Sequence, residues 1–160
     1  SPVVGEEVIL VCAPKRDPIY AIKAGGSGKL NDDAIAWTSK ETRDLSSDVP
    51  TPAFSDGDFF ILSDVRKSLS RVDPKSGKTK WMLRTPGTYK YEASPLVADG
   101  KVYIVNFVGD VIVVNAEDGK IIGENWMDKP SDDPVRSGVI ASQGQLFIRV
   151  NQKLFCIGKK

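Results

Sequence analysis

Short apolar runs, divided by turns containing Gly and Asp, recur along the chain. A small residue, then Pro or Gly, then two apolar residues appears four times, as Ser1-Pro2-Val3-Val4, Thr51-Pro52-Ala53-Phe54, Ser94-Pro95-Leu96-Val97 and Ser137-Gly138-Val139-Ile140. The steps from Pro2 to Pro52 to Pro95 to Gly138 are 50, 43 and 43 residues. A second run follows each start: Val8-Ile9-Leu10, Phe59-Phe60-Ile61, Val102-Tyr103-Ile104 and Leu146-Phe147-Ile148. A third comprises Ile19 to Ile22, Leu69 to Val72, Val111 to Val114 and Leu154 to Ile157. A fourth closes only three units, at Ala34 to Thr38, Thr79 to Leu83 and Ile121 to Trp126. Runs of this length bounded by Asp56-Gly57, Asp99-Gly100 and Gln143-Gly144 predict strands joined by hairpins. No window holds a persuasive 3.6-residue apolar period, so almost no helix is expected. Four short strands every ~40–50 residues predict an all-β chain, a partial β-propeller of about four four-stranded blades, the last incomplete. The blades fall near 1–40, 50–85, 93–126 and 136–160. A sandwich or closed barrel would not demand the same side-chain columns four times.

Composition narrows the chemistry. The chain has 160 residues, 41% hydrophobic and 27% charged, which suits a folded protein with a real core. It has no histidine, so Ser-His and Cys-His mechanisms and His-ligated metals are excluded. A net charge of +1 argues against bulk binding to nucleic acid or a membrane surface. Charge is unevenly spread, however. Asp64 to Lys90 holds eight basic and two acidic residues, whereas Asp110 to Asp133 holds seven acidic and two basic ones. This polarity either steers a dipolar partner or is ordinary surface charge on outer strands. The longest unbroken apolar stretch, Val8 to Ala13, is six residues, far short of the ~20 needed to span a bilayer. Cys12 and Cys156 lie in apolar runs with no metal or redox spacing, and buried free thiols are expected rather than a disulfide. The chain opens on Ser1-Pro2 with no initiator Met, as expected of a piece of something longer. The Gly-rich segment from Lys23 to Asp33 fails the phosphate-loop spacing at Lys23 and Leu30 and reads as a hairpin tip.

The second unit carries Asp73-Pro74-Lys75-Ser76-Gly77-Lys78-Thr79-Lys80-Trp81. This segment resembles the tryptophan-docking motif of quinoprotein (PQQ-type) propeller repeats, A-x-D-x-x-x-G-K-x-x-W, and Ser94 to Tyr103 resembles the start of the same repeat. The resemblance implies that Trp81 packs between blades while Asp73 and Gly77 shape the turn before the outer strand. The chain departs from the motif at Arg71, where Ala is expected, and at Asn115 and Gly123, where Asp and Trp are expected. Unit one keeps Ala21 and Trp37 with six extra residues between them, and unit four stops before the motif can be completed. Relatives with this repeat have seven or eight blades. The chain is therefore expected to be the C-terminal half of a larger propeller, completed by a missing N-terminal half, or to self-associate into a ring.

In such folds the loops between blades share a face with the hairpins between second and third strands. The expected ligand- or partner-binding residues on that face are Arg16, Arg66, Tyr91, Phe107, Asp132, Asp133 and Arg136. Lys15, Arg43, Asp48, Lys67, Tyr89, Lys90, Asp128 and Lys129 share it, while Trp81 and Trp126 are expected to pack in seams or on outer strands. No catalytic residue and no metal ligand is assigned. A non-catalytic scaffold binding a protein or small ligand is expected, with no nucleic-acid partner. The alternative is the C-terminal part of a PQQ-dependent dehydrogenase, and only then would PQQ and calcium be cofactors. The resemblance further implies a periplasmic or secreted location.

Overall fold

A computed structural model describes residues 1–14, 17–41, 45–129 and 133–158. Fifteen strands form four antiparallel sheets in chain order. The first holds β1 (Val3–Val4), β2 (Val8–Val11), β3 (Tyr20–Lys23) and β4 (Ile35–Thr38). The second holds β5 (Ala53–Ser55), β6 (Asp58–Ser63), β7 (Ser68–Val72) and β8 (Thr79–Arg84). β9 (Leu96–Ala98), β10 (Lys101–Val105), β11 (Asp110–Asn115) and β12 (Ile121–Trp126) make the third. The last sheet has only β13 (Ile140–Ser142), β14 (Gln145–Val150) and β15 (Lys153–Gly158). The described helix is one 3-10 turn, Asp32–Ala34. Each sheet is an up-and-down meander, and the first strands of successive sheets lie side by side. Propeller blades stack in this way, here with the fourth blade one strand short. The turns were legible in the residues: Asp56-Gly57, Asp99-Gly100 and Gln143-Gly144 all take positive φ at both positions, as the tightest hairpins require.

Strand alternation explains the stacking. Phe59 and Ile61 of β6 pack back onto the first blade, while Phe60 and Leu62 pack forward onto the third. All six residues of β6 are consequently buried, as expected of a strand covered on both faces. In β10, Val102 and Ile104 face back and Tyr103 and Val105 face forward. Each seam between blades thus has its own core cluster. One register differs from the sequence columns. Val3 pairs with Leu10 as Ala53 pairs with Phe60, so Leu10, not Ile9, is the counterpart of Phe60. The slip exchanges faces: Val8 and Leu10 point into the first seam, and Ile9 and Val11 point away. Similarly, Ile140 pairs with Phe147 as Leu96 pairs with Tyr103, which makes the last repeat step 44 residues.

The docking tryptophans tie the seams from the rim. Trp37 Nε1 donates to Pro74 O at 2.7 Å, and Trp81 Nε1 donates to Ala116 O at 3.0 Å. Each ring lies against a turn glycine of the next blade, Gly77 and Gly119 respectively. Asp73 Oδ1 accepts from the Ser76 hydroxyl and from the Ser76 and Lys75 N–H groups, and these bonds hold its carboxyl below the usual range. Arg71 replaces the motif's alanine for a visible reason. Its Nε donates to buried Asp58 at 2.6 Å, its guanidinium lies 5.8 Å from the Phe60 ring centroid, and Nη1 reaches Ala116 O and Glu117 of the next blade. Lys80 also meets Asp58, at 2.8 Å. Sequence reading missed this network because its members are spread from residue 58 to 117.

Two expectations need correcting. Cys156 is exposed, not buried, because it lies on the outward face of the fourth sheet, turned away from the third. Cys12 is half-buried in the first seam, and that burial pushes its thiol up to about 11. Iodoacetamide at pH 8 should therefore alkylate Cys156 at least ~10-fold faster than Cys12, read by peptide mass spectrometry; equal rates would show that the last blade's outer face is covered. Trp126, expected to pack, stands largely in solvent instead. Position Gly123, opposite Val113, is the counterpart of Trp81, while Trp126 pairs with Asp110 at the end of β12 and is 78% exposed.

The outward faces of the end blades are apolar. Val4, Ile9, Val11, Tyr20 and Ile22 lie on one, and Ile140, Phe147, Leu154 and Cys156 on the other. Val4, Ile140 and Leu154 are each about two-thirds exposed (66%, 64% and 69%). These positions are equivalent to buried seam positions in the middle blades, and the core clusters join only neighbouring blades in chain order.

Candidate ligand-binding face

Among the described residues, three clefts stand out where successive blades connect, on the side of the loops and the second-to-third-strand hairpins. The first, about 460 Å³, is lined by Asp17, Tyr20, Lys40 and Arg66 among others. The second, about 290 Å³, lies under the loop 86–91 and beside the end of β12. The third, about 590 Å³, is lined by Asp128, Asp133, Arg136, Arg149 and Lys153 around the start of the last blade.

The expected site residues do not gather at one point. Arg16 and Asp132 lie outside the described residues. Arg66 is exposed on the first cleft, its backbone N–H donating to Ser63 Oγ. Phe107 and Arg136 do come together: the Arg136 guanidinium sits 5.4 Å from the Phe107 ring centroid, and its Nε donates to Glu92 at 3.1 Å. Asp133 lies beside Arg136 on the third cleft. Tyr91 is a core residue instead of a presented one. It is 2% exposed in the second seam, and its hydroxyl donates to Pro86 O at 3.1 Å. Burial, with Asp110 and Glu124 near, pushes its phenol up to about 12. The motif residues Asp73, Gly77 and Trp81 sit at the turn and seam described above. Asp128 is held below the usual carboxylate range, chiefly by Lys153 at 2.9 Å.

The loops that carry these residues are fastened to one another. Phe107 N donates to Lys90 O at 2.9 Å, and Val135 N donates to Phe107 O at 2.8 Å, so one connection is stitched to the next hairpin and that hairpin to the next connection. Asn106 Oδ1 accepts from the Val108 and Asp110 N–H groups while its amide donates to Asp110. Lys67 donates to Thr88 O, and buried Ser47 donates to Pro50 O and Leu62 O. Such loops are set before any ligand arrives, which lowers the ordering cost of binding.

A PQQ-type family model described as "Outer membrane protein assembly factor BamB" matches residues 15–159. The chain belongs to this PQQ-type repeat family. The quinohemoprotein alcohol dehydrogenase ADHIIG from Pseudomonas putida HK5 superposes with a TM-score of 0.71 at 18% identity, covering 93% of this chain and 28% of that one. The quinohemoprotein alcohol dehydrogenase from Comamonas testosteroni gives 0.60 at 22% identity, covering 79% and 20%. The computationally designed Ika4 protein gives 0.72 at 8% identity, covering 98% and 88%. These likenesses establish the shared fold, and the chain spans less than a third of either dehydrogenase. Among curated proteins, no sequence matches. None of the described helices is long and apolar enough to cross a membrane.

Proposed function

We propose that this chain is a non-catalytic segment of a PQQ-type propeller, periplasmic or secreted, whose loop face binds a protein or a small ligand. The observation that carries this reading is the stitching of the loop face. Backbone bonds from Lys90 through Phe107 to Val135 run across two blade connections and tie together loops that border the clefts. The family match to an outer-membrane assembly factor favours a protein among the possible partners. The apolar end faces are the counterparts of buried seams, and further blades, from the rest of a longer polypeptide or from a second copy, would cover them.

The PQQ-dependent alternative asks for a calcium site beside a quinone. Among the described residues no three Asp, Glu or Cys side chains group closely enough to hold a metal ion, so they offer no carboxylate cluster for calcium, which also takes amide and backbone carbonyls. Mixing the chain with calcium and PQQ, with alcohols or sugars and an electron-accepting dye, decides between the readings. We expect no quinone absorbance shift and no substrate-dependent dye reduction. Appearance of both would replace the scaffold with the dehydrogenase.

A further inference from the structure

The second cleft has a composition the other two lack. Among its lining residues are Tyr89, Tyr91, Asp110, Glu124 and Trp126, and no Lys or Arg is among them. Tyr89 and Trp126 are 49% and 78% exposed, so two aromatic surfaces face solvent at the mouth while Tyr91 is buried beneath. Both ionisable wall residues other than tyrosine are acids. Asp110 is oriented by the Asn106 amide at 2.8 Å, and the Glu124 carboxylate has no hydrogen bond or ion pair among the described residues. Of the loop cations, Lys67 reaches the rim, donating to the carbonyl of the wall residue Thr88 at 3.1 Å, and Lys90 lies 3.8 Å from Glu92. By contrast, the third cleft sets Arg136, Arg149 and Lys153 against its two acids.

The placement follows from the fold. Gly123 occupies the seam position where the second blade has Trp81, so the third blade's only tryptophan stands three residues later, at the strand end beside the loop 86–91. An exposed indole and a phenol above two carboxylates form a setting that attracts an organic cation. The ring faces offer negative quadrupoles, and the two acids outnumber the one ammonium at the rim, that of Lys67. A neutral polar ligand would use the aromatic surfaces but leave those charges uncompensated.

We infer that the cleft between Tyr89, Trp126, Asp110 and Glu124 binds an organic cation, a guanidinium or alkylammonium group, either free or at the tip of a partner protein's side chain. This rests on the reading of the loop face as a binding face and names the chemistry recognised there. A cation of this size suits a volume of about 290 Å³, at the small end of ligand pockets.

The test is ligand-observed NMR titration of the protein with choline and with N-acetyl-arginine amide. Their neutral counterparts, 3,3-dimethylbutan-1-ol and N-acetyl-citrulline amide, serve as references. Saturable binding of at least one cation, weakened by added salt and absent for its neutral counterpart, is expected. Trp126→Ala and Glu124→Gln should each weaken it by about three- to tenfold. Both residues are exposed, and matching thermal melts will confirm that the variants fold. Preference for the arginine amide assigns the site to a partner's side chain, and preference for choline to a free small molecule. Equal binding of the neutral compounds, no saturable binding of either cation, or full affinity in both variants overturns the inference. None of these outcomes involves PQQ, so failure here is distinguishable from failure of the scaffold reading.

Discussion

Phe60→Ala should cost about 3–5 kcal/mol of unfolding free energy, the largest loss expected from any single truncation in this chain. Phe60 is fully buried at the centre of the second seam, packed with Leu62 and Leu69 of its own blade and Val102, Ile104 and Val114 of the next. Its ring lies 6.1 Å from that of Trp81 at a tilted angle, and the Arg71 guanidinium covers another side. Removing the ring forfeits its transfer free energy and leaves a cavity. Two antiparallel sheets with many backbone bonds cannot collapse into that space easily. Urea unfolding at constant m-value provides the measurement, with Ile122→Ala as a control. Ile122 is 53% exposed on an outer strand, and its truncation should stay within about 0.5 kcal/mol. A loss below about 1 kcal/mol for Phe60→Ala would mean that the seams do not hold the blades together. A double-mutant cycle with Trp81→Ala should show coupling of about 0.5–1.5 kcal/mol, because the two rings share one contact surface.

The second large effect is expected at a glycine. In Gly77→Ala, the added methyl carbon would lie 2.6 Å from the nearest atom of the Trp37 ring, at a residue whose φ is +70°. The substitution therefore incurs backbone strain of about 1 kcal/mol and also forces the indole off its seat, endangering the 2.7 Å bond from Trp37 Nε1 to Pro74 O. We expect a total of about 2–4 kcal/mol and a red shift of tryptophan emission as Trp37 becomes wetter. Gly144→Ala isolates the strain, since Gly144 has φ +74° but nothing within 4 Å of the added carbon. The difference between the two variants reads the Trp–Gly seat itself. If they unfold at the same denaturant concentration, the tryptophan does not fasten blade to blade.

Both predictions bear on what was readable in the residues. The docking motif was legible because Asp73, Gly77 and Trp81 fall within one turn and the following strand, whereas the seating of Trp37 on Gly77 and of Trp81 on Gly119 joins different blades. The blade count and the short fourth blade were legible because the apolar runs recur along the chain. Other features depended on register or on distant partners. Val8 and Ile9 are both apolar, and only the pairing of Val3 with Leu10 decides which enters the seam. Tyr91, read as a loop residue, is a core residue because its loop folds under to place the ring in the second seam. Trp126 is the converse, an apolar residue in a strand that the register leaves in water. Arg71 departed from the repeat in sequence, yet its meaning became visible only with Asp58, Phe60 and Glu117 around it.

Local alternation and turn chemistry act over a few residues, so the amino-acid order alone determined that this chain makes short antiparallel sheets, how many, and where each turns. Which face of a sheet meets its neighbour, which aromatic is seated and which left exposed, and which charges share a cleft depend on contacts between residues tens of positions apart. A shift of one residue in strand pairing reverses every such assignment, and only the packed blades reveal which pairing holds.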